Sequence, residues 1–189
     1  MFTDIAVNIQ KNLGYEPLLK MSPNSDELPT GHHEHGIRSV SQAAIPAVLL
    51  ALYHYAQYTE GSWELLHKTE HDNWLAMVFG SRKEELTERI SGYASQSREQ
   101  TEVEIRHILK EAVRLLQTRA DVNKKNGVTA ILDGQRKFFV QYLPPSLHLG
   151  SLLENAPVDD NTHKMSGPVS GFMHTIEKQF NTNDTTVRK

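Results

Sequence analysis

The sequence predicts an all-α fold, a multihelical globular domain around a buried central helix. Three observations lead there. Residues 41–59, SQAAIPAVLLALYHYAQYT, form the longest apolar run in the chain. On a helical projection Ala44, Ile45, Ala47, Val48, Leu49, Ala51, Leu52, Tyr55 and Ala56 cover well over half the circumference, and a helix apolar on most sides must be surrounded. Elsewhere apolar residues recur at spacings of three and four, and no stretch shows the alternation of a half-buried strand.

Each element follows from local signals. Residues 3–13 place Ile5, Ile9 and Leu13 on one narrow face, and Gly14 is the expected stop. Residues 21–38 carry Pro23, Asn24, Pro29, Gly31 and Gly36 and read as a long loop. The central helix follows. With Ser41 as its N-cap, Pro46 would lie just past the first turn and bend it, because the ring clashes with the carbonyl four residues back. Gly61-Ser62 reads as a turn, and Trp63, Leu65, Leu66, Trp74, Leu75, Val78 and Phe79 as one or two short buried helices.

Ser81-x-x-Glu84 and Ser97-x-x-Gln100 are capping-box patterns. The first opens a helix with Leu86, Ile90 and Tyr93 on one face. The second opens the clearest amphipathic helix, reaching about Arg119, with Ile105, Ile108, Leu109, Ala112, Leu115 and Leu116 inward. After a polar loop at 121–127, residues 128–143 read as a helix with Ile131, Leu132, Phe138, Phe139 and Tyr142 on its apolar side. Pro144-Pro145 ends it, and 147–153 is a short apolar turn. The expected organisation is a helical domain over 1–155, then a linker and an amphipathic helix with a polar tail over 156–189.

Composition narrows the function classes. The 189 residues carry a formal charge of −3, so no basic nucleic-acid footprint is expected. Gln42, Pro46, His54 and Gln57 interrupt the apolar run, which argues against a membrane span of roughly 20 apolar residues. Without cysteine there is no disulfide framework, thiolate metal site or thiol catalysis. The first residues lack a signal-peptide pattern, and a cytoplasmic location is expected.

Three stretches together resemble the YidB-like bacterial proteins, a helical family of unknown function. They are Gln42 through Pro46 to Leu52, with Gly61 and Leu65-Leu66; Phe79-Gly80 with the helix pair ending at Leu115-Leu116; and Gln135 through Leu143-Pro144-Pro145 to the Leu149-Gly150-Ser151-Leu152-Leu153 turn. The resemblance covers about residues 1–155. It departs from the family at Ala112, where a proline is expected, in a tail less rich in glycine, and in the histidine-rich loop. It implies an all-helical fold and no catalytic residues.

Ten histidines offer the remaining chemistry. His67-Lys68-Thr69-Glu70-His71 matches an H-x-x-E-H pattern. On a helix His67 and His71 would share a face and could hold one zinc ion, with Glu70 as general base. His32, His33 and His35, with Glu34, could chelate Zn²⁺, Ni²⁺ or Cu²⁺ from a loop. His54, His107, His148 and His174 are expected to be hydrogen-bonded packing residues. No nucleophile elbow or phosphate loop appears, so neither a catalytic residue nor a cofactor-binding residue is assigned. The leading expectation is a non-enzymatic helical protein acting through protein–protein contact or self-association. The alternative is a metal-binding protein or metal-dependent hydrolase using His67, Glu70 and His71 or the His32, His33 and His35 loop.

Overall fold

The computed structural model describes residues 4–21, 38–68, 73–121, 124 and 126–149. All lie within one unit, Met1–Leu153. The seven α-helices among them are α1 (Ile5–Asn12), α2 (Val40–Ala56), α3 (Thr59–His67), α4 (Trp74–Phe79), α5 (Lys83–Ala94), α6 (Arg98–Arg119) and α7 (Gly127–Val140). Single 3₁₀ turns stand at Gly80–Arg82 and Pro145–Leu147, and no strand occurs among the described residues. The fold is all-α, as the apolar periodicities require. The histidine loop and the segment after Leu149 lie outside the described residues, as do the expected linker and tail helix.

The central helix is α2. All but three of its 17 residues are buried, with Ile45, Val48, Leu49 and Leu52 fully enclosed. It is enclosed because α1, α3, α5, α6 and α7 all lie against it. Its N-cap is Ser39 rather than Ser41. The Ser39 hydroxyl accepts the Gln42 N–H at 3.2 Å, and the Ser41 hydroxyl lies 3.0 Å from it. The helix therefore starts two residues earlier than Ser41 as N-cap would allow, and Pro46 sits well inside it. α7 runs antiparallel to α2. Thr129 near its start donates to the Ala56 carbonyl at 2.7 Å, and the Tyr142 carbonyl beyond its end accepts from Gln42.

α6 meets the domain along one side. Ile105, Ile108, Leu109, Ala112, Leu115 and Leu116 are buried, as their spacing predicts. Ser97 caps it, accepting the Gln100 N–H at 3.3 Å. At the other end of the core, Asp4 caps α1 and accepts from Ala6 N–H, while its second oxygen accepts from the Tyr142 hydroxyl.

Three expectations are corrected. Gly61 is not a turn residue but lies inside α3. A Cβ there would stand 2.1 Å from the Tyr55 carbonyl oxygen, so glycine allows α3 to cross close to the last turn of α2. The Ser81 capping box does not form. Gly80, at φ 54°, leads into a 3₁₀ turn that passes directly into α5, with Arg82 in helical conformation at the N-cap and no side-chain cap bond. A capping side chain needs an extended residue there. Phe138 is exposed rather than buried. The inward stripe of α7 is Val128, Leu132, Gln135 and Phe139, which leaves Phe138 beside it and outside.

Candidate functional site

His67 is the one expected metal ligand among the described residues; His32, His33, His35 and His71, with Glu70, lie outside them. His67 is the last residue of α3. Lys68 follows in extended conformation and donates its N–H to the Glu64 carbonyl at 2.9 Å. The helix that carries His67 thus closes at it, before the position of His71. The His67 ring stacks on Trp63, with centroids 4.5 Å apart and planes 17° from parallel. Its Nδ1 lies 2.9 Å from the Trp63 carbonyl oxygen, a contact in which Nδ1 donates. Among the described residues no three His, Asp or Glu side chains converge as a metal set.

Of the other histidines, His54 and His107 differ from the expected hydrogen-bonded packing residues. His54 is half-buried and packs by its ring against Tyr53, 5.7 Å between centroids, and the ring makes no hydrogen bond among the described residues. Burial first, then Arg136 and Arg82, hold its imidazole below the ordinary histidine value. Arg136 in turn sits over the Tyr53 ring at 4.9 Å, and the Tyr53 hydroxyl donates to Asp133 at 3.3 Å. His107 is exposed. His148 occupies a left-handed position, φ 45°, after the second 3₁₀ turn, and its carbonyl accepts from Arg89 at 2.8 Å. His174 lies outside the described residues.

Several glutamines and one arginine are joined to backbone. The Gln42 amide accepts from Leu19 N–H at 2.9 Å and donates to the carbonyls of Leu19 and Tyr142 at 2.9 and 2.7 Å. Gln135 accepts the Ile5 N–H at 3.1 Å, so α7 helps to hold the start of α1. Gln117 donates to the Leu65 and Lys68 carbonyls at the end of α3, and Arg89 to those of Leu147 and His148. Buried groups of this kind must find partners. Here the partners are segments without regular ladders, so the glutamines act as clasps. The Tyr55 hydroxyl bonds to Glu64, which also pairs with Lys68. Burial and then Glu64 push that phenol well above its usual range. Sequence reasoning missed these clasps, although a glutamine inside an apolar run is itself a signal.

The outer surface is different. Tyr58, Trp63, Val103 and Phe138 are large apolar side chains left in solvent. Val103 lies in a shallow, wide-open groove along one face of the first turns of α6, between the side chains of Gln96, Glu99, Gln100, Glu104 and His107. Gln96 donates to Glu104 at 2.8 Å across it. The sign in the sequence was a valine off the inward stripe, among glutamates and glutamines. No helix among the described residues is long and apolar enough to cross a membrane. No family model, curated protein or solved structure matches the chain.

Proposed function

We propose that this chain is a non-enzymatic helical protein of the cytoplasm that works through protein–protein contact, self-association included. One observation carries the reading. Trp63 and Val103 are 53% and 51% exposed, while the buried glutamines of the core are already joined to backbone. Exposed apolar side chains in a polar rim are the usual anchors of contacts, and tryptophan is enriched among them. The YidB-like resemblance belongs to the same proposal, supported by Gln42, Pro46 and Gln135 on buried helix positions. Light scattering on the full chain over a dilution series tests it. A mass above 21.4 kDa that falls on dilution is expected, and a monomer at every concentration overturns the self-association part.

A metal-binding function is the second reading, and His67 favours it, because the ring is exposed and its Nδ1 donates to a backbone carbonyl, the arrangement that leaves the other ring nitrogen of a neutral imidazole for a metal. Elemental analysis of untagged protein separates the two. A stoichiometric metal retained through dialysis would overturn the leading reading.

A further inference from the structure

We infer that a second copy of this chain docks head-to-tail, with Lys137 and Phe138 on α7 of one copy seated in the α6 groove of the other. The inference rests on the self-association reading and names its surfaces. Two features of opposite sign motivate it. On α7, Phe138 is 37% exposed and the Lys137 ammonium stands 5.0 Å from its ring centroid, an apolar knob carrying a cation. On α6, Val103 lies in a groove flanked by Glu99 and Glu104. Neither Lys137 nor Glu99 has an ion-pair partner among the described residues. Their neighbours on α5 and α6 contrast with them, since Glu85 pairs with Arg89, Glu88 with Arg98, Glu102 with Arg106 and Glu111 with Arg114.

Knob and groove belong to one folded unit, and both are exposed there, so they can meet only between copies. An occupant that brings a cation to Glu99 and an apolar group to Val103 complements this face, and Lys137-Phe138 supplies both in adjacent residues. Two different patches make a heterologous contact, which builds chains or rings rather than stopping at a symmetric pair by necessity. The patch is small and charged, so association should be weak and should decline as salt is raised.

Sedimentation equilibrium of the full chain at low salt is the test, on the wild type, Glu99→Lys, Lys137→Glu and the double variant E99K/K137E. The expected result is a wild-type mass that rises with concentration, near-monomer mass for each single variant, and recovery in the double variant, where the signs are exchanged. An equimolar mixture of the two single variants should also associate, because each supplies the patch the other lacks. Glu99 stands in the first turn of α6, where a cation is unfavourable to the helix. If melting shows Glu99→Lys to be unfolded, Lys137→Glu and its comparison with the wild type decide the matter. A wild type that associates while Lys137→Glu associates equally overturns this docking and leaves the contact reading standing. A wild type that is monomeric throughout overturns both.

Discussion

The two longest helices of this domain share a length class and little else. α2 is buried on nearly every side, and its polar residue Gln42 is tied at both ends of its amide to backbone. α6 buries eight of its 22 residues and leaves the rest half-buried or exposed. Several of its charges pair with neighbours, as in the contacts of 2.7 Å from Arg114 to Glu111, while Glu99 in its first turn has no ion-pair partner among the described residues. The difference teaches a division of labour. An enclosed helix fixes the fold and can spare no side chain for a partner. A half-exposed helix can lose surface residues at little cost to the fold, and is where a contact site can be built.

Substitutions sharpen that contrast, beginning with the largest effect. Leu49→Ala should cost about 2–5 kcal/mol, because Leu49 is fully buried in α2 and the surrounding helices cannot close the cavity completely. Denaturant unfolding measures it. A loss below about 1 kcal/mol would remove α2 from the centre of the fold.

Gln42→Leu comes next. It keeps the bulk and strands the Leu19 N–H and the Leu19 and Tyr142 carbonyls, so roughly 1–3 kcal/mol should be lost. Amide exchange at Leu19 should quicken at the same time. The matching residue on α6 behaves in the opposite sense. Thr101 is fully buried and its hydroxyl has no hydrogen-bond partner among the described residues, so Thr101→Val should be neutral or raise stability by up to about 1 kcal/mol. A marked destabilisation would show that the hydroxyl is satisfied.

The smallest effect is a pH dependence at the end of α2. The folded protein holds His54 below its ordinary value, so the folded state binds fewer protons than the unfolded one. Its contribution to stability is full above about pH 6.5, the unfolded value, and is lost as pH falls through the lower folded value. His54→Gln should flatten the melting temperature over that window relative to the wild type. An unchanged slope would mean that His54 is solvated in the folded protein.

These helices also show what was legible in the sequence. The inward stripe of α6 could be read because a half-exposed helix must alternate its chemistry every three to four residues. α2 could be read from the length of its apolar run. Gly61 could not, since a glycine that permits close crossing and a glycine that makes a turn look alike until the neighbouring Tyr55 carbonyl is known. The Ser81 pattern failed for a similar reason, because a capping side chain needs an extended backbone that the turn from Gly80 does not provide. Phe138 and Phe139 compete for one inward position, and only the full stripe from Val128 decides it. The α6 groove was hidden because a single valine among charges is ordinary surface. It gains meaning only when the fold places Gln96 and His107 around it.

Val103→Lys, followed by sedimentation equilibrium and thermal melting on the same samples, tests the division of labour most directly. Val103 lies on the exposed side of α6, so its replacement should leave the melting temperature nearly unchanged, while a lysine beside the incoming cation of a second copy should bring the mass down to that of the monomer. A mass equal to that of an associating wild type would contradict the assignment of this face to contact, and a large fall in melting temperature would show that α6 holds the fold on both its sides.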